Sequence, residues 1–308
     1  MQKLGALFNQ EKMNEELQNA FEKLKQIQLG DGSFGWFAGM QGNSYITQTI
    51  VIGFGKMKRM GVDISAYEEM IENAMNYLDR EAERDYKYYH SKKELLGFLP
   101  NNLQYLYCKS FFPNIGLAIN DTTVQYFVDN AEKTWVNNGL MNRAQLATAL
   151  KTLKPSSDVP AWILKSFVET SRKTEEMGMY WTANKGGYYW YEAPIETQAA
   201  IIEFFATYGS EKESIKEQQI WLLRQKQTSH WASTRSTADA CYSLLMNGGM
   251  LNNQQQVGVS INNALVKPES VDAGTGYYRQ NLPKTSISNN SSNIQVSATT
   301  NDFAYGAI

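Results

Sequence analysis

Apolar side chains recur at three- and four-residue steps from Met13 to about Gly249, then switch to an alternation in twos. Met13, Leu17, Phe21, Leu24 and Ile27 define an amphipathic helix over residues 10–28, stopped by Gly30. A second helix is predicted from about Ser44 to Met60, closed by Gly61. Its Gly53 and Gly55 lower helix propensity, which predicts close packing against a neighbouring backbone. Ser65 is expected to cap a third helix, with Glu68 and Glu69 in its first turn, running to about Arg84. Further helices are predicted from Ser91 to Lys109 with an interruption near Pro100, from Asp121 or Thr122 to Trp135, from Asn142 to Leu153, and from Asp158 to Thr170. After an aromatic turn at 179–191 come helices at about 194–208, 211–226 and 234–246, with Gly209 and Gly248-Gly249 as stops.

A second pattern lies over the first. Gly30-Asp31-Gly32-Ser33-Phe34-Gly35-Trp36-Phe37-Ala38-Gly39 runs into the helix carrying Thr47, and weaker copies precede Thr197 (Gly186-Gly187-Tyr188-Tyr189-Trp190-Tyr191) and Thr237 (Ser229-His230-Trp231-Ala232-Ser233). The helices entered this way are apolar nearly all round, as in Ala199, Ala200, Ile201, Ile202, Phe204 and Phe205, whereas those that follow them are amphipathic. A helix covered on all sides and a helix covered on one side are the inner and outer members of a ring of hairpins. The expected fold is mainly α: an α/α toroid of helical hairpins over residues 1–250, followed by a short β-rich segment over 251–308. That segment alternates in Val257-Gly258-Val259-Ser260-Ile261 and Ile294-Gln295-Val296-Ser297-Ala298, with Gly274-Thr275-Gly276 as a turn. It is too short for a sandwich of its own, so it is expected to belong to a sheet completed elsewhere.

Charge narrows the partners. With 29 Lys and Arg against 31 Asp and Glu, nothing predicts an electrostatic grip on nucleic acid or an anionic membrane. No apolar run is long enough to span a bilayer, and no signal peptide opens the chain. Cys108 and Cys241 both sit among apolar residues in predicted helices, which predicts two buried free thiols. Neither has metal-ligand spacing, and with His90 and His230 as the only histidines no metal and no cofactor is expected.

Three chemistries suit helical toroids. A prenyltransferase needs an Asp/Cys/His zinc set and a terpene cyclase an Asp-rich motif, and neither pattern is present. An inverting glycosidase needs facing carboxylates, for which Asp31, Glu192, Glu196 and Asp239 are candidates. Against this, Asp31 precedes Gly32 as a turn former and Glu196 sits in a first helical turn where the dipole favours it. Trp36, Phe37, Tyr189, Tyr191 and Trp231 are the candidate binding residues; the competing expectation is that such aromatics staple neighbouring units together. Thr47, Thr197 and Thr237, at equivalent helix positions, read as first-turn backbone partners rather than nucleophiles. No residue is assigned a catalytic role, and the chain is read as a non-enzyme.

The loop at Asp31–Gly39 with Tyr45-Ile46-Thr47-Gln48, and the run His230-Trp231-Ala232-Ser233-Thr234-Arg235-Ser236-Thr237-Ala238-Asp239-Ala240, resemble the thioester-domain region of the alpha-2-macroglobulin family, particularly its large bacterial members. Ala273-Gly274-Thr275-Gly276-Tyr277-Tyr278 and Phe303-Ala304-Tyr305-Gly306-Ala307 resemble the β segment that follows that toroid. The resemblance implies the toroid of terpenoid cyclases and prenyltransferases with flanking β-sandwich strands. It also implies a large secreted, periplasmic or surface-anchored protein that traps proteases or contacts host surface molecules. In the family, proteolysis triggers a conformational change and covalent capture through a Cys–Gln thioester. The Cys-x-Glu-Gln motif is absent here, since Cys108 is followed by Lys-Ser-Phe and Cys241 by Tyr-Ser-Leu. Either the motif lies upstream of Met1 in a longer protein or this member lacks it. The start inside a predicted helix and the strand-like run at Phe303–Ile308 give the expectation of a piece of a longer protein, with no thioester residue in this stretch.

Overall fold

The computed structural model describes residues 10–92, 100–186, 193–209, 212–226, 231, 233–246, 258–261, 264–266, 281 and 293–297. Contacts divide the chain into one compact unit over residues 17–246 and a second made of residues 1–16 and 247–308. Ten α-helices are present among the described residues. They are α1 (Gln10–Ile27), α2 (Ser44–Arg59), α3 (Glu68–Lys92), α4 (Pro100–Phe111), α5 (Thr122–Thr134), α6 (Leu140–Leu153), α7 (Val159–Thr170), α8 (Pro194–Tyr208), α9 (Lys212–Lys226) and α10 (Thr234–Met246). The fold is mainly α, as the periodicity predicts.

In the first unit the even-numbered helices form the inner layer. α2 packs on α4, α4 on α6, α6 on α8, and α8 on α10. The odd-numbered helices lie outside them: α3 against α2 and α4, α5 against α4 and α6, α7 against α6, and α9 against α8 and α10. The inner succession closes on itself through side chains, because Lys56 of α2 meets Asp239 of α10 and Tyr45 of α2 meets Arg235. α6 and α8 show why the inner helices read as apolar all round. Ala144, Leu146, Ala147, Thr148, Ala149 and Leu150 are all buried, as is every residue from Ile195 to Phe205. The small side chains of α6 let the backbones of α4 and α8 approach it closely.

Several boundaries differ from the sequence expectation for local reasons. α3 runs on to Lys92 and Pro100 starts α4 instead of interrupting a helix, because a proline is well tolerated where no backbone N–H bond is needed. Residues Ser65–Tyr67 form a 3-10 turn entered by an Asp63 side chain that accepts from the Ser65 N–H, so Ser65 is not the cap of a long helix. α6 starts two residues before Asn142, at Leu140, with Gly139 as its cap. An antiparallel hairpin, β1 (Arg172–Thr174) and β2 (Gly178–Tyr180), precedes the second aromatic loop, and β2 packs on α9. Of the two α2 glycines, Gly55 is tightly packed, since a Cβ there would lie 2.3 Å from the Phe111 ring, whereas nothing lies within 4 Å of one at Gly53. The expected approach of a neighbouring backbone is found at neither: Gly55 is packed against an aromatic side chain, and Gly53 has open space.

In the second unit, among the described residues, β3 (Gly258–Ile261) pairs antiparallel on one side with β4 (Ala264–Leu265) and on the other with β5 (Ile294–Ser297). Val259 pairs with Val296 and Ser260 with both Leu265 and Gln295. Leu265 and Val296 are exposed.

Candidate functional site

The first aromatic loop is a fixed structure. Asp31 Oδ1 accepts from the Ser33 N–H at 3.0 Å and from the Ser33 hydroxyl at 2.6 Å. These bonds hold the Asp31 carboxyl below its usual range, the Ser33 hydroxyl contributing most. Phe34 is fully buried; its N–H donates to Thr47 Oγ1 at 3.0 Å, and its carbonyl accepts from the Asn43 N–H at 2.9 Å. Thr47 Oγ1 in turn donates to the Asn43 carbonyl, so the threonine at this helix entrance ties the loop to the helix. Gly32 has φ 90°, and a Cβ there would stand 2.1 Å from the Asn73 carbonyl oxygen. Only glycine fits that approach.

On this frame two rings face solvent: Trp36 is 52% and Phe37 75% exposed. Trp36 stacks on Tyr45, with ring centres 5.9 Å apart and planes at 27°. The Arg235 guanidinium lies 5.8 Å from the Tyr45 ring centre and donates to its hydroxyl. A Trp36–Tyr45–Arg235 row thus joins the entrances of α2 and α10.

The other predicted binding residues behave differently. Trp231 is only 6% exposed and its indole N–H donates to the Leu222 carbonyl at 3.0 Å, so its ring is packed as a staple and offers no open face. Tyr189 and Tyr191 lie outside the described residues, as do Glu192 and His230. The structure brings Trp36 and Phe37 together on one loop and leaves Trp231 inside the helical layers.

The candidate acids among the described residues are occupied, Asp31 by Ser33 as above. Glu196 is buried and accepts from the Ser236 hydroxyl at 2.9 Å, linking the first turns of α8 and α10. Asp239 meets Lys56 Nζ at 2.5 Å. Cys108 is buried and free, with its thiol pushed well up by burial, but Cys241 is exposed, which corrects the expectation of two buried thiols. The difference follows from α10 having one face outside the inner layer. No group of three or more metal-ligating side chains occurs among the described residues.

The most concentrated polar chemistry was not anticipated from the sequence. Glu203, in the middle of the apolar face of α8, accepts from the Tyr107 hydroxyl at 2.5 Å, from the Tyr242 hydroxyl at 3.4 Å and from Arg59. Arg59 also covers the Phe111 ring at 4.0 Å, and Lys56 lies 5.0 Å from the Tyr242 ring centre. Burial first, and then the Glu203 charge, push the Tyr107 and Tyr242 hydroxyls far above their ordinary value, so both stay protonated and act as donors. Burial is the largest influence on Arg59 and lowers its pKa, but Glu203, Tyr107 and Tyr242 together raise it by more, so the net shift is upward. A lone glutamate inside Ala199–Phe205 was the visible signal; its partners come from three other helices and no sequence spacing connects them.

A second buried carboxylate serves the α4–α5 connection. Asp79 accepts from the Tyr105 hydroxyl at 2.6 Å, the Leu117 N–H at 2.6 Å and Lys109 Nζ at 3.4 Å, and Lys109 also donates to the Ile115 carbonyl. Burial lowers the Lys109 pKa, and Asp79 opposes that shift.

No family model matches the chain, and no curated protein matches it. Among solved structures it is similar to native alpha-2-macroglobulin from Escherichia coli, in a crystal structure spanning domain MG7 to the C-terminus, at 12% identity and a TM-score of 0.47. It is also similar to Escherichia coli alpha-2-macroglobulin activated by porcine elastase, at 13% identity and a TM-score of 0.48. These alignments cover 80% and 91% of this chain but only 36% and 22% of the other chains, so it spans little more than a third of the one and under a quarter of the other.

Proposed function

We infer that this chain is a non-enzymatic scaffold segment of an alpha-2-macroglobulin-like protein, with residues 1–250 as its helical domain and 251–308 as strands of a flanking β domain. It serves a larger bacterial protein that traps proteases, or meets host surface molecules, in the periplasm, outside the cell or on its surface. The loop and helix-entrance motifs at Asp31–Gly39 and Trp231–Ala240 support the family reading. The observation that carries the non-enzymatic part is the state of the carboxylates. Asp31, Glu196, Glu203 and Asp239 each hold a short internal hydrogen bond or ion pair. A general acid and a general base need a free face toward substrate and separated proton affinities, and these four groups are committed to the fold. Among the described residues no helix is long and apolar enough to cross a membrane, which leaves the three locations open.

The test has two parts. Residues 1–308, incubated with a panel of polysaccharides and glycosides, are expected to release no reducing ends. Release that disappears in Glu196→Gln would overturn the reading and make the chain a carbohydrate-active toroid enzyme. The parent protein, incubated with an endopeptidase, is expected to leave cleavage of a small peptide substrate intact while shielding a protein substrate. Equal cleavage of both substrates would remove the protease-trap role. Retention of chain 1–308 on a glycan or peptide array, lost in Trp36→Ala, would replace it with a binding domain that uses the exposed loop.

A further inference from the structure

Four of the meetings between successive inner helices, α2–α4, α4–α6, α6–α8 and α8–α10, are made by close backbone approach. The fifth meeting, α10 with α2, is made by long charged and aromatic side chains, and the two backbones come less near. Lys56 reaches Asp239, Arg235 reaches Tyr45, and Lys56 lies over the Tyr242 ring. Arg59 reaches past this joint to Glu203 on α8. The Lys56 and Asp239 side chains are each 17% exposed and Arg59 27%, so water already borders the joint.

Opening has opposite consequences at the two kinds of meeting. Parting α6 from α8 would put Ala, Leu, Ile and Phe surface into water, which the hydrophobic effect opposes in proportion to area. Parting α10 from α2 would return a lysine, an arginine and an aspartate to water and uncover the buried Glu203, Tyr107 and Tyr242. The polar ends of these three are hydrated in turn, so much of the lost Coulomb attraction would come back as hydration. Glu203 would keep the Tyr107 hydroxyl as a donor when Arg59 leaves, because Tyr107 is on α4 rather than α2. The carboxylate is then not stranded without a hydrogen bond.

We propose that the helical ring opens at the α2–α10 joint, and that the Lys56–Asp239 and Arg59–Glu203 pairs are the electrostatic latch that holds it shut. The arc α4–α6–α8 stays packed while the joint parts. The opened cleft presents Glu203, Tyr107 and Tyr242 to solvent. The latch does not depend on the scaffold reading, since it concerns the ring's own equilibrium.

Hydrogen exchange of residues 1–308, read by mass spectrometry at low and high NaCl (about 0.02 and 0.5 M, Debye lengths of roughly 20 and 4 Å), tests this. Amides of α10 and of the second half of α2 are expected to exchange faster at high salt, while those of α6 and α8 hold. Asp239→Lys is expected to speed α10 exchange by about tenfold, the order set by losing a partly buried pair. Lys56→Glu combined with Asp239→Lys, which restores the pair with its sign reversed, is expected to bring exchange back. Asp239→Asn is the milder variant, expected to accelerate α10 with unchanged far-UV circular dichroism. Exchange of α10 in step with α6 and α8 under every condition would overturn the latch. So would an Asp239→Lys variant with unaltered α10 exchange, or a reversed pair that fails to rescue. Global loss of helix content in both Asp239 variants would overturn it too, because a local latch leaves the arc folded.

Discussion

The α4–α6–α8 arc and the α2–α10 joint belong to the same inner layer and are held by opposite chemistry. In the arc, α6 buries alanines, leucines and a threonine, α8 buries every residue from Ile195 to Phe205, and the helices touch along their backbones. At the joint, ion pairs and ring contacts span a wider gap. Apolar packing is insensitive to salt and loses much when one side chain is cut back. A charged seam is individually weaker, responds to ionic strength, and parts with less apolar surface exposed than the arc would. The comparison teaches that a ring of similar hairpins need not be uniformly stable.

The largest effect should come from the arc. Phe204 is fully buried among Phe167, Phe205 and Tyr208, and Phe204→Ala is expected to cost about 3–5 kcal/mol in denaturant unfolding of residues 1–308. A cost near that of a surface change would mean the arc is not the stable region. Next is the carboxylate where arc and joint meet: Glu203→Gln removes the charge facing Arg59 and is expected to cost about 2–3 kcal/mol, below the full buried-pair figure because Arg59 borders water. If Glu203→Gln stabilises the protein, the cluster is a burden and not a brace.

Alkaline pH separates the same two regions. The Tyr107 and Tyr242 pKa values are raised in the folded protein, chiefly by burial and then by Glu203, so their contribution is complete below the unfolded value near 10 and is lost as pH rises above it. Stability is expected to fall above about pH 10, by about 1.4 kcal/mol per pH unit for each such tyrosine, and Tyr107→Phe should reduce that slope by one proton. An unaltered slope in the variant would show that the titration lies elsewhere. The smallest effect is at the exposed loop. Trp36→Ala and Phe37→Ala are expected to shift stability by about 0.5 kcal/mol or less, because these rings face water. A large loss would mean that the loop is a fold element with no surface to spare for binding.

Much of the molecule was legible in the sequence, and the reasons are local. Apolar steps of three and four placed most of the helices, and glycine ended α8 at Gly209 in a left-handed conformation, but Pro100, read as an interruption, is the first residue of α4. The alternation of fully apolar with amphipathic helices marked inner from outer, because a helix covered all round cannot afford a polar face. The loop at Asp31–Gly39 was visible from its glycines, since Gly32 meets the Asn73 backbone where no other residue fits.

The same loop motif also shows where sequence stopped. Its first copy holds Trp36 and Phe37 out in solvent, and its third turns Trp231 inward onto the Leu222 carbonyl. Aromatic residues in similar strings meet different fates because the outcome depends on which helix stands opposite. Cys241 was expected among apolar neighbours and is exposed, because the side of α10 that carries it faces away from the inner layer. The Glu203 cluster gathers Arg59, Tyr107 and Tyr242 from helices far apart in the chain, at distances only the closed ring creates. Periodicity and turn chemistry act over a few residues, so one sequence determined the elements and their layers. Which polar groups meet, and which joint of the ring is charged, depends on contacts between segments up to nearly two hundred residues apart, and tertiary packing alone decided them.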